Sequence, residues 1–219
     1  MTADQVLFTS MHDYLPLNAL LAARRSTLSN YINLRRFSNR GFDRGVTKVF
    51  EGCWIFVRAA VFMHSIPLPS RLKAWILRVF GAKIGTRVVI RSRVNISMPW
   101  RLELGDDVWI GDDVMILSLD RVTIASNCCL SQRSFLCTGS HDFSSEMFSL
   151  ITKPIVVEES CWVGAQSFVG PGVTMKMGSR SLAGAVVIRN VEQGTAVAGV
   201  PAKPIPVRSE SDITSNISR

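Results

Sequence analysis

The chain has 219 residues and a mass of 24.2 kDa, with 25 Lys and Arg against 17 Asp and Glu and 47% apolar residues, enough for one well-buried core with a small appendage. Met1 to Lys83 carries 12 basic and 4 acidic residues, whereas Ile84 to Arg219 carries 13 of each. That neutrality argues against a nucleic-acid reader with a basic groove across its main fold, and leaves open an N-terminal segment that meets an acidic surface, a membrane or a partner chain.

In chain order, the first 23 residues do not read as a signal peptide, because Asp4, His12 and Asp13 precede any basic residue. The longest apolar stretch, Val46 to Pro69, contains Lys48, Glu51, Arg58 and His64, so no membrane-spanning helix is expected. Helical patterns run over Val49–Met63 and Arg71–Phe80, broken by Pro67-Leu68-Pro69. In the second, Leu72, Trp75, Ile76 and Val79 fall at helical spacing, with Arg71, Lys73 and Arg78 facing elsewhere. Two readings stay open for these helices: a cap on the open end of the following fold, or a basic amphipathic surface that rests on anionic lipid.

From Ile84 a repeat takes over. Six segments begin with an apolar residue at 84, 104, 124, then 157, 177 and 197, spaced by twenty within each trio. Inside them lie hexads: Ile84, Ile90, Ile96; Leu104, Ile110, Ile116; Ile124, Leu130, Leu136; Val157, Val163, Val169; and Ala183 after Met177. Side chains alternate along a strand, so a six-residue period with small or β-branched residues at i+4 (Val88, Val108, Cys128, Ser134, Cys161, Ser167) fits short strands on the flat faces of a triangular coil. A helical period of 3.6 does not. The fold class read here is mainly β, a parallel β-solenoid, with the two extra residues of each twenty in a corner.

The predicted organisation is a basic helical segment (1–80), a solenoid domain (81–208) with an inserted loop at 139–156 where the register is lost, and a flexible tail (209–219). The odd set of cysteines (Cys53, Cys128, Cys129, Cys137, Cys161) has no C-x-x-C pair, which argues against a disulfide framework or structural zinc and for a reducing compartment. Of three histidines, only His141 lies at the break in the repeat, within L-C-T-G-S-H-D. A three-imidazole zinc site therefore lacks ligands, and a Ser/His/Asp hydrolase lacks its G-x-S-x-G elbow. One imidazole suffices as a general base where the substrates bring both the nucleophile and an activated acyl group.

The tandem hexads and the T-G-S-H-D loop resemble the hexapeptide-repeat (left-handed β-helix) acyltransferases, and more narrowly the acetyltransferases of colanic-acid-biosynthesis type. The resemblance runs over residues 70 to 208 and is carried by LRVFGAKIG (Leu77 to Gly85), LELGDDVWIGDDV (Leu102 to Val114), SQRSFLCTGSHDF (Ser131 to Phe143), LITKPIVVEESCWVGAQSFVGPGV (Leu150 to Val173) and GVPAKPI (Gly199 to Ile205). It implies left-handed coils, a cytoplasmic homotrimer with active sites between neighbouring subunits, and His141 as the base on the acceptor. It also implies acetyl-CoA as cosubstrate and no metal. By motif position it carries Trp162, Ala165, Ala183, Arg189, Lys203 and Arg208 to the CoA side, and Asn127, Asp142 and Glu146 are candidates for the acceptor side. Asp142 has three open roles: orienting His141, binding sugar hydroxyls, or facing solvent. Departures at Met175–Ser179 and Ile188 put side-chain details of CoA contact in question. The implied activity is O-acetylation of a saccharide in cell-surface or exopolysaccharide synthesis; the charge of the basic N-terminal segment, read separately, leaves open a peripheral contact with the inner membrane face or partner enzymes. The alternatives are acetylation of a small molecule of serine or antibiotic type, and a non-catalytic assembly scaffold.

Overall fold

A computed structural model of the protein describes residues 32–39 and 41–206. Asp142–Ser149 and residues 32–39 belong to one compact unit, and the other described residues, from Gly41 to His141 and from Leu150 onward, form the main unit.

In the main unit, strands of two or three residues stack in parallel register into three sheets. The first face holds β1 (Lys83–Ile84), β4 (Leu102–Leu104), β7 (Val122–Ile124), β12 (Ile155–Val157) and β15 (Thr174–Met175). The second holds β2 (Val89–Ile90), β5 (Trp109–Ile110), β8 (Cys129–Leu130), β13 (Trp162–Val163), β16 (Arg180–Ser181), β18 (Ala196–Ala198) and β19 (Lys203–Ile205), and the third β3 (Asn95–Ile96), β6 (Met115–Leu117), β9 (Phe135–Cys137), β14 (Phe168–Val169) and β17 (Val186–Val187). The repeat is thus a parallel β-solenoid, and the hexad-leading residues from Ile84 to Val169 are buried inside it. Each such side chain contributes roughly 1.5–3 kcal/mol by leaving water. The i+4 positions point inward as well, which is why Cys128, Ser134, Cys161 and Ser167 are buried. Small residues there fit the narrow corners.

In the first coils the repeat is twenty residues: Ile84 pairs with Leu104, and Leu104 with Ile124. The two surplus residues lie between the third and first faces, in one case as the 3₁₀ turn Pro99–Arg101. The second trio departs from the expected twenty. Val157 pairs with Met175, Val163 with Ser181 and Val169 with Val187, a period of eighteen without a corner insertion. Met175 then bridges Val191, a still tighter turn. The apolar residues at 177 and 183 misled the periodicity, because Met177 and Ala183 are exposed corner residues. After β18 the chain turns at Pro201 and returns as β19, antiparallel to β18.

Among the described residues, two α-helices precede the first coil: α1 (Lys48–Val57), continued by a π-helical turn at Arg58–Phe62, and α2 (Ser70–Val79). Thr47 caps α1 by accepting the Phe50 N–H at 3.3 Å. The first coil has no preceding coil to satisfy its carbonyls, and the helices supply donors on all three sides. Arg78 donates to Ile84 O and Gly85 O, Lys73 to Arg91 O, and the Trp54 indole N–H to Ile96 O and Ser97 O. The face of α2 that packs on the coil is therefore not its apolar stripe. Lys73, Ala74 and Leu77 are buried, whereas Leu72, Trp75 and Val79 face outward. Among the described residues, no helix is long and apolar enough to cross a membrane.

Candidate active site

The break in the repeat is a hairpin whose root is tightly held. Thr138 Oγ1 donates to Leu117 O at 2.7 Å and accepts from the Asp120 N–H at 2.9 Å, while Thr138 O accepts from the Lys153 N–H at 2.9 Å. At Gly139 a Cβ would stand 2.8 Å from Leu119 Cδ1, so glycine lets the strand leave the corner close to that side chain. From there β10 (Gly139–His141) pairs antiparallel with β11 (Leu150–Thr152), which places His141 opposite Leu150. His141 is half-buried and sits on a two-stranded ladder rather than on irregular loop.

Two of the acceptor-side candidates belong to the smaller unit. The Asp142 carboxylate accepts from the Ser144 N–H at 3.0 Å and from the Ser144 hydroxyl, which holds its pKa below the usual carboxylate value. Glu146 accepts the Asn33 N–H on its carbonyl and pairs its carboxylate with Arg36 at 2.7 Å. The third candidate, Asn127, stands at a left-handed corner between the first and second faces, and its Nδ2 donates to Glu159 Oε1 at 3.2 Å. That is a different edge of the coil from the one that carries His141.

Residues expected on the CoA side gather in two places. Trp162 projects from the second face, with its indole N–H on Ser131 Oγ at 2.7 Å. Ala165 and Ala183 occupy the edge between the second and third faces in successive coils, joined where the Gly184 N–H donates to Ala165 O at 2.8 Å. Gly164 makes this closeness possible, because a Cβ there would lie 2.5 Å from Ser181 O. Arg189 and Lys203 come together in a cleft of about 260 Å³ that Asn190, Glu192 and Thr195 also line. Arg208 lies outside the described residues.

A further cleft of about 460 Å³ runs beside Trp109, lined by Arg91, Asp112, Ser131 and Gln132. Sequence reasoning did not single it out. The available signal was that Trp109 and Trp162 hold the same hexad position two coils apart, both facing solvent on the second face. Among the described residues, no three His, Cys, Asp or Glu side chains cluster as metal ligands.

No family model matches the chain. It is 42% identical over 173 residues to WcaF of Escherichia coli (strain K12), named as a colanic acid biosynthesis acetyltransferase, an alignment spanning 79% of this chain and 94% of that protein. It is 24% identical over 175 residues to the galactoside O-acetyltransferase of the same organism, covering 77% of this chain and 80% of that protein. Among solved structures, a hexapeptide-repeat acetyltransferase from Vibrio cholerae O1 biovar eltor, complexed with acetyl coenzyme A, superposes with a TM-score of 0.64 at 21% identity, over 74% of this chain and 87% of that one. This last likeness speaks to fold alone. Together with the coil stack, the identity to WcaF across most of both chains assigns the protein: it is an acyltransferase of the hexapeptide-repeat, left-handed β-helix family.

Proposed function

We propose that the enzyme transfers the acetyl group of acetyl-CoA to a hydroxyl of a saccharide in cell-surface or exopolysaccharide biosynthesis, acting as a cytoplasmic homotrimer. The observation that carries this reading is the 42% identity to a relative named for colanic acid biosynthesis, and the galactoside O-acetyltransferase points to the same acceptor class. The cosubstrate supplies an activated acyl thioester. Arg189 and Lys203, two cations in one cleft, suit its phosphates, and the small Ala165–Ala183 edge lets an extended chain approach the backbone.

His141 acts as the base. Its imidazole takes the proton from the acceptor hydroxyl as the oxygen bonds to the acyl carbon, and returns that proton to sulfur as the thioester bond breaks. The placement of these residues on two edges supports a shared site and hence the trimer. His141 leaves the edge between the third and first faces, whereas Ala165 and Ala183 lie on the edge between the second and third. A single coil stack keeps those edges apart, and copies packed side by side set one edge against the other.

Acetyl transfer from acetyl-CoA to a saccharide panel, read by mass spectrometry, tests the activity. His141→Ala should lower the rate by about two to four orders of magnitude without weakening CoA binding, and unchanged transfer would refute the general-base role. Mixed trimers of His141→Ala with Ala183→Glu should regain activity that neither variant has alone. If light scattering shows a monomer, the shared site is wrong.

A further inference from the structure

We propose that the outward face of the helical cap is a docking surface for an anionic lipid bilayer. The inward face of the cap is spent on the first coil, through Trp54, Ser70, Lys73, Leu77 and Arg78. What remains outside is apolar at helical spacing. On α1 and its π-helical extension the exposed positions Val49, Cys53, Phe56, Ala60 and Met63 form one stripe, with Val49 78% and Phe56 74% exposed. On α2 the stripe is Leu72, Trp75 and Val79, with Trp75 60% exposed. An amphipathic helix in a globular protein normally turns its apolar stripe inward. Here the coil edge demands hydrogen-bond donors, so the stripe is displaced to the surface, and Ile66 in the connector adds a further exposed apolar side chain.

Charge selects the occupant. Gly41–Lys83 carries seven basic and two acidic residues, whereas residues 84–206 carry eleven of each. Lys48 and Arg71 on the two helices are exposed beside the stripes. Aromatic and aliphatic side chains flanked by Lys and Arg match the boundary between acyl chains and anionic headgroups, where apolar burial and electrostatic attraction act together. A second copy of the same basic cap would bring like charges face to face. The inference is independent of the acetyl-transfer reading, because binding to vesicles requires neither CoA nor acceptor.

Flotation of the full chain with phosphatidylcholine vesicles, with and without about a third of phosphatidylglycerol, tests it. The protein should float with the anionic vesicles at low salt and lose most of that binding in high salt. Phe56→Ser and Trp75→Ser, both at exposed positions, should each weaken partitioning by about tenfold while leaving thermal unfolding unchanged. Should either variant unfold, Arg71→Glu and the salt titration of the unaltered chain read the electrostatic half of the proposal. No flotation with anionic vesicles at low salt overturns it. So does flotation indifferent to these substitutions, or a lipid-free assembly larger than a trimer that Trp75→Ser dissolves, which would make the face a contact between copies.

Discussion

The ammonium of Lys73 donates to the carbonyl oxygen of Arg91 at 2.6 Å, from a side chain only 2% exposed. Burial lowers the lysine pKa, with Asp112 opposing that shift. The charge is tolerated because it meets carbonyls that no preceding coil can satisfy. Lys73→Met removes the donor and keeps the bulk, and should destabilise the fold by roughly 1–3 kcal/mol in urea unfolding. Leu72→Ser, one residue away and exposed, should change stability by less than about 0.5 kcal/mol.

Gly164 packs its α-carbon against the next coil so closely that any Cβ meets the Ser181 carbonyl. Gly164→Ala should therefore cost about 1–3 kcal/mol through forced displacement of the backbone. It should also raise the KM for acetyl-CoA more than it lowers kcat, because Ala165 and Ala183 move with that edge. A variant as stable as the parent would show that the coils slide apart freely.

Left-handed corners are stitched by arginine–aspartate pairs one coil apart: Arg87 with Asp107, and Arg93 with Asp113. Hydrogen bonds from the guanidinium of Arg93 hold the Asp113 carboxyl below its ordinary value of 3.8. Between the folded and unfolded pKa values the unfolded chain binds more protons, so this contribution is present above about pH 4 and is lost as pH falls through the folded value. Melting temperatures measured across acid pH should drop less steeply for Asp113→Asn than for the parent.

Thiol reactivity separates the coil interior from its surface. Cys53 is exposed and Cys129 half-buried, whereas Cys128, Cys137 and Cys161 are buried. Burial contributes to raising the Cys137 thiol pKa, and the Cys128 thiol is pushed up as well. Under native conditions a disulfide-exchange reagent should label Cys53 and Cys129, and reach the other three only after denaturation. Rapid native labelling of Cys161 would mean that the coils open locally.

The chain announces its solenoid because most hexads place an apolar side chain at i and a small or β-branched one at i+4, a pattern that short inward-facing strands require and helices cannot use. The position of His141 was equally legible, since an insertion into a regular repeat has to leave from a corner. Where the repeat shortens to eighteen residues, apolar Met177 mimicked a strand position, and only pairing of Val157 with Met175 set the register. Motif position carries both Arg189 and Lys203 to the CoA side, fourteen residues apart in sequence, and β19 folding back on β18 puts them in one cleft.

The sequence by itself determined the coil, the place where an insertion breaks it and the segregation of positive charge into the first 83 residues. Tertiary structure decided which way α2 faces. The helical spacing of Leu72, Trp75 and Val79 leaves a cap and a lipid-facing surface both open, and the free carbonyls of Ile84, Ile90, Arg91 and Ile96 draw Arg78, Ser70, Lys73 and Trp54 inward. Unsatisfied backbone acceptors at a solenoid end cost more than an exposed apolar stripe, and that balance exists only once the first coil has formed.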